Sequence, residues 1–288
     1  MILIKQLYRF LVFSNLLIAM AAMAQCLLTY VILGMPINFN IVSIEGAATL
    51  LLYNVSLRLS KPQNPQQSPY LRTRWVFKHE KLLWFNSTLA LILLSYALLD
   101  VDPYTWLFLG FVGMISMAYS VPIFRINGKR GGMRQIPGLK VFHIALVWSL
   151  SGVGLPVVEL WASGYAIDWY VANYLGIVKI LFLVICTLPF DIRDMAQDSY
   201  YHLKTIPTLL GETKAKRLCY LLLLLQSLFV IVAPYAVVIK VGLLGCNSIV
   251  FFLLRLVLNN AKHYHYAYLL DVSLILQFLT VYVMYLVA

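Results

Sequence analysis

Nine separate runs of apolar residues, each close to the length of a bilayer-crossing helix, constrain this chain more than any other feature. A hydrocarbon core of about 30 Å needs roughly 20 apolar residues at helical rise. The runs lie at 10–33, 41–57, 82–99, 104–121, 141–162, 170–190, 218–239, 241–258 and 266–287. They are expected to cross as helices, because lipid tolerates no unpaired backbone and barrel strands are far shorter. Composition agrees: 62% of the 288 residues are hydrophobic and 11% charged, against about 25% charged in soluble domains. A soluble globule has no means of hiding that much apolar surface. A disulfide scaffold is excluded too, because Cys26, Cys186, Cys219 and Cys246 are far apart and sit inside apolar runs. The first run is too long for a signal-peptide core and no small-residue cleavage site follows it, so it reads as a retained helix. The expectation is a single all-α integral-membrane domain over 1–288, with nine spans.

The formal charge of +11 is not a nucleic-acid footprint, because of where it falls. All but Lys179 and Lys240 of the 22 Lys and Arg residues lie in the N-terminal stub or in alternate connections. The positive-inside rule then puts the N-terminus in the cytoplasm and the C-terminus outside. Losing or adding one helix would destroy the alternation, so count and orientation support each other. The location expected is the bacterial inner (cytoplasmic) membrane, with membrane lipids as neighbours and no nucleic-acid partner.

Acidic residues are scarce, so their grouping is informative. Three of the 11 stand at Asp191, Asp194 and Asp198, spaced i, i+3, i+7. On a continuous helix that spacing places all three on one face. Mutual repulsion there would be relieved by a hard divalent cation, and oxygen-only ligands suit Mg²⁺, which commonly bridges to phosphates. A solvated helix end with Arg193 balancing one charge accounts for the same residues. The connection after the fourth span is basic and glycine-rich (Arg125, Gly128, Lys129, Arg130, Gly131, Gly132, Arg134). Arg and Lys there would suit a diphosphate, although inside topology also supplies them.

Nine spans, the Tyr119-Ser120-Val121-Pro122 tail of the fourth run, and DIRDMAQD…KTIPTLLG over 191–211 resemble the UbiA-type intramembrane prenyltransferase superfamily. The likeness runs over nearly the whole chain. It implies a UbiA-like fold and Mg²⁺ as cofactor. It also implies transfer of a prenyl group from a polyprenyl diphosphate to an acceptor. Asp194 and Asp198 match the DxxxD pair that holds Mg²⁺–diphosphate, and Asp191 matches a further upstream aspartate of many members. Lys204 and Tyr119 match diphosphate- or cation-stabilising positions. As the resemblance implies, Asp194, Asp198 and Tyr119 are the candidate catalytic residues. Asp191, Asp194 and Asp198 are the candidate metal ligands, and Asn54, Arg58, Arg125, Lys129, Arg130 and Lys204 the substrate contacts.

The first family motif, NDxxDxxxD, is degenerate. Asn54 keeps its leading Asn, while Val55, Arg58 and Pro62 stand where aspartates are expected. The family glycine of the second motif is also absent, with His202 near its place. Two readings follow. Either Arg58, aided by Lys61, replaces one metal with a guanidinium, and should then point toward Asp194. Or diphosphate ionisation is lost, and the chain is a non-catalytic isoprenoid- or lipid-binding or scaffold protein. A small secondary transporter is disfavoured by the lack of internal repeats and by carboxylates clustered at one membrane face. Three further charges draw attention. Asp271 is expected to face the cavity or pair with Arg255, Glu45 to be a helix-start charge, and Lys179 to face the bundle interior.

Overall fold

The computed structural model describes residues 2–118, 124–126, 129–131, 136–200 and 203–287. The chain opens with α1 (Ile2–Phe13) and α2 (Leu16–Leu33), so the expected run 10–33 is two helices. The break is at Asn15, whose φ of 63° is left-handed. Asparagine tolerates that conformation better than any apolar residue of the run would. Gly34, also left-handed, ends α2 by returning its N–H to Tyr30 and Val31 carbonyls.

α3 (Phe39–Leu59) begins where the Asn38 side chain accepts from the backbone N–H groups of Asn40 and Ile41. A surface helix α4 (Leu71–Lys78) leads into α5 (Glu80–Leu98) and α6 (Pro103–Ala118). A two-stranded antiparallel hairpin follows, β1 (Phe124–Ile126) with β2 (Lys129–Gly131), pairing Arg125 with Arg130. The next span, 139–162, contains α7 (Leu139–Ser149), a π-turn over Leu150–Gly154, and α8 (Leu155–Ala162). Asp168 caps α9 (Trp169–Arg193) through Tyr170 and Val171 N–H groups. Short α10 (Met195–Tyr200) and α11 (Ile206–Leu210) precede α12 (Glu212–Val232), α13 (Val237–Leu258) and α14 (Leu269–Val287). The turn between α12 and α13 falls at 233–236, around Pro234, rather than at residue 240. Proline stops the incoming helix there because it lacks the N–H and crowds the preceding turn.

Among the described residues, eight helices are long and apolar enough to cross a membrane. α6 is a ninth, shorter apolar helix of 16 residues, about 24 Å at helical rise. The protein is a multi-pass integral-membrane helical bundle. α2 and α9 form its centre. Both bury most of their length, and the main core joins α2, α7, α9, α12, α13 and α14. Leu91, Ile92, Leu107, Leu221 and Phe252 are exposed on the outer surface, as hydrocarbon-facing residues are.

Several polar groups deep inside the bundle are paired, because an unpaired one is costly in lipid surroundings. Lys179, buried in mid-span, donates to the Gln25 carbonyl at 2.8 Å. Thr29 donates to the Gly152 carbonyl at 2.6 Å, satisfying a group in the π-turn. Glu45 is buried beside Ser151 and within electrostatic reach of Lys179. It therefore belongs to this internal polar knot and is not a helix-start charge. Gly154 permits a close contact: a Cβ there would lie 2.7 Å from the Phe108 ring.

Candidate functional site

The cluster at 191–198 sits at the basic end of the bundle, where α9 gives way to α10. The expected continuous helix is not present. α9 ends at Arg193, Asp194 occupies the cap with φ −92° and ψ 7°, and α10 starts at Met195. The break turns Asp194 away from the other two carboxylates. Asp191 and Asp198 converge and are both buried, while Asp194 faces the Arg193 guanidinium. Arg193 donates to both Asp194 oxygens, at 2.7 and 2.8 Å, a bidentate pair with the bond lengths of charge-assisted contacts.

Asp191 and Asp198 share Lys140. Its Nζ lies 2.6 Å from Asp191 Oδ1 and 3.1 Å from Asp198 Oδ2. Local structure aims this lysine. Gly138, left-handed at φ 71°, caps α7, and its N–H donates to the Lys204 carbonyl at 2.7 Å. That bond ties the start of α7 to the loop carrying the second motif. Lys140 is a functional candidate that sequence reading did not single out. Its pairing partners are more than 50 positions away in the chain, and nothing local separates it from the other inside-face bases.

A second network lies nearby. Asn54, buried, accepts from Asn15 Nδ2 at 2.8 Å and donates to Ser87 Oγ at 3.0 Å. Arg72 donates to Asn15 Oδ1 at 2.7 Å. The Arg72 and Arg193 guanidiniums lie 5.8 and 5.0 Å from the centre of the Tyr268 ring. Both are within electrostatic reach of Asp271. Asp271 thus answers to these two arginines and not to Arg255.

Arg58 is not brought to the carboxylates. It is exposed, donates to Glu80 at 3.3 Å and stacks 4.1 Å from the Trp84 ring centre. Lys61 joins the same Glu80 at 3.0 Å. Glu80 opens α5 at the membrane edge and draws both bases outward, so the expected approach of Arg58 to Asp194 is not seen. The Lys204 ammonium is exposed with no ion pair among the described residues. Tyr119 lies outside the described residues, as do the side chains of Arg125, Lys129 and Arg130.

Whether these residues suit Mg²⁺ is decided by their donors. Asp191 and Asp198 offer buried oxygen ligands, the chemistry a hard cation takes. Asp191 Oδ2 is buried with no hydrogen-bond partner among the described residues, and an orphaned acceptor of this kind is costly unless something fills it. The pair therefore fits a hard cation. The third carboxylate does not join it: among the described residues, no three His, Cys, Asp or Glu side chains gather to hold an ion.

No family model matches this sequence, and no curated protein does. Two solved structures share the fold. One is a UbiA homolog from Archaeoglobus fulgidus bound to GPP and Mg²⁺, with TM-score 0.62 and 12% identity over 96% of this chain and 99% of that one. The other is a digeranylgeranylglyceryl phosphate synthase, with TM-score 0.54 and 13% identity over 97% and 98%. The protein has the UbiA-type intramembrane fold, over essentially its full length.

Proposed function

We propose that this protein is a UbiA-type membrane prenyltransferase that binds an isoprenoid diphosphate at its cytoplasmic end and passes the prenyl group to an acceptor. The observation that carries the reading is the pair of buried carboxylates, Asp191 and Asp198, at the basic end of a UbiA-type bundle. The two structural neighbours support it, one by its bound GPP and Mg²⁺ and the other by its identity as a lipid-phosphate synthase. Fold alone does not decide function, because chemistry belongs to the site.

In this reading Asp191 and Asp198 hold the cation, and Asp194 with Arg193 frames the rim. When bound, Mg²⁺ neutralises charge on the leaving diphosphate. The basic residues of the 125–130 hairpin and Lys204 bring cationic charge to the same membrane face, where they steer an anionic head group. The apolar bundle takes the isoprenoid tail. Tyr119 is proposed as an aromatic stabiliser of the allylic cation. The basic connections support a cytoplasmic orientation for this end, and a bacterial inner membrane is the location proposed.

One observation favours a second reading, a non-catalytic isoprenoid- or lipid-binding protein. Where the resemblance expects aspartates on α3, this chain has Arg58 turned away to Glu80. The test is a Mg²⁺-dependent assay in liposomes with labelled prenyl diphosphates of several chain lengths, followed by lipid extraction. Wild type is compared with Asp194→Ala and Asp198→Ala. Prenyl transfer lost in Asp198→Ala supports the enzyme. Binding without transfer supports the second reading, and neither binding nor transfer at any chain length refutes both.

A further inference from the structure

A lysine ammonium stands in this protein where a divalent cation would go. Lys140 Nζ touches one oxygen of each buried carboxylate, at 2.6 and 3.1 Å. The trio carries one excess negative charge, and Asp191 Oδ2 has no hydrogen-bond partner among the described residues. Within this trio one ammonium leaves a net negative charge, whereas a doubly charged ion would balance the two carboxylates.

Lys140 is also placed to leave. It is the second residue of α7, its side chain is 13% exposed at the rim, and a four-carbon stem lets the head swing without moving the helix. A metal ion contacting Asp191 and Asp198 would lie within a few ångströms of the ammonium, where like charges in a partly buried site repel strongly.

We infer that Lys140 is an exchangeable internal counter-ion: it closes the Asp191–Asp198 pocket in the empty protein and competes with a divalent cation for it. Metal and ammonium are alternative occupants. This rests on the reading of the pocket as a cation–diphosphate site, but it concerns the cation alone.

The experiment uses the full-length protein in lipid nanodiscs with Mn²⁺ and Mg²⁺ and no isoprenoid. Mn²⁺ affinity is read by electron paramagnetic resonance in wild type and Lys140→Met. The variant is expected to bind at least about tenfold more tightly, since the competing charge is gone. Equal or weaker Mn²⁺ binding by the variant, or none by either protein, overturns the inference. A second measurement does not depend on the variant folding. In wild type, acylation of Lys140 by an amine-reactive ester, read by mass spectrometry, is expected to rise as Mg²⁺ is added, while acylation of Lys61 stays constant. Constant Lys140 labelling across a Mg²⁺ titration to tens of millimolar overturns the inference. Prenyl transfer with Lys140 still shielded would refute the exchange and leave the enzyme reading intact. Exchange without transfer would do the reverse.

Discussion

Gly242 offers a test of the packing in which the structure sets both sign and size. α13 and α14 meet here backbone to backbone. A Cβ added to Gly242 would lie 2.6 Å from Val281 Cα, 2.9 Å from its N and 3.0 Å from the Thr280 carbonyl oxygen. Ordinary contact for such atoms is 3.4–4 Å, so Gly242→Ala forces the helices apart by most of an ångström. No flexible side chain can yield in their place. Overpacking of this kind costs about 1–3 kcal/mol. Gly245 is one turn further along the same helix and has nothing within 4 Å of its Cβ position. There the same substitution meets no clash, and the helix-propensity gain of up to about 1 kcal/mol is shared by both sites. The loss of unfolded-chain freedom is common to both variants and cancels. Gly242→Ala is therefore expected to be less stable than Gly245→Ala by the overpacking cost alone, about 1–3 kcal/mol. Unfolding in mixed micelles, followed by far-ultraviolet circular dichroism, measures the difference. Equal stability of the two variants, or a more stable Gly242→Ala, would refute the close approach of α13 to α14.

Two further outcomes follow from the polar contacts at the basic end. Asn54→Ala removes the link joining Asn15 on one side and Ser87 on the other, and should cost about 1–3 kcal/mol. A residue serving only as a ligand contact would leave the melting temperature unchanged, so thermal unfolding of the ligand-free protein separates the two roles. Arg58→Gln breaks an exposed pair with Glu80 and should cost under about 1 kcal/mol. It should also leave labelled geranyl diphosphate binding within about twofold of wild type; loss of binding would restore Arg58 to the site.

The spans were legible because lipid imposes a length on every crossing helix and the charges mark one face. The breaks within and between runs were harder to read. Asn15 turns the chain inside an apolar run, where only the Ser14–Asn15 polar pair hints at it, whereas Pro234 carried a plain signal for the α12–α13 turn that the 218–239 run passed over. The carboxylate spacing was right, but a shared face needs an unbroken helix, and α9 ends between Asp191 and Asp194. Lys140 was hidden for a different reason. Its role comes from the Gly138–Lys204 hydrogen bond and from carboxylates on another helix, so only tertiary structure distinguishes it from the bases around it.

Lys179 has a consequence for how the molecule is made. A lysine near the middle of a span raises the cost of releasing that helix from the translocon into lipid by about 2.5–3.5 kcal/mol. The α9 sequence is apolar enough to enter regardless. Once there, its ammonium finds the Gln25 carbonyl on α2, a helix synthesised more than 100 residues earlier. The first span thus acts as a docking post for a much later one. A chain that lost α2 would still insert α9, but with an unsheltered charge in the hydrocarbon. Such a misassembled bundle is the kind of substrate that membrane quality-control proteases remove.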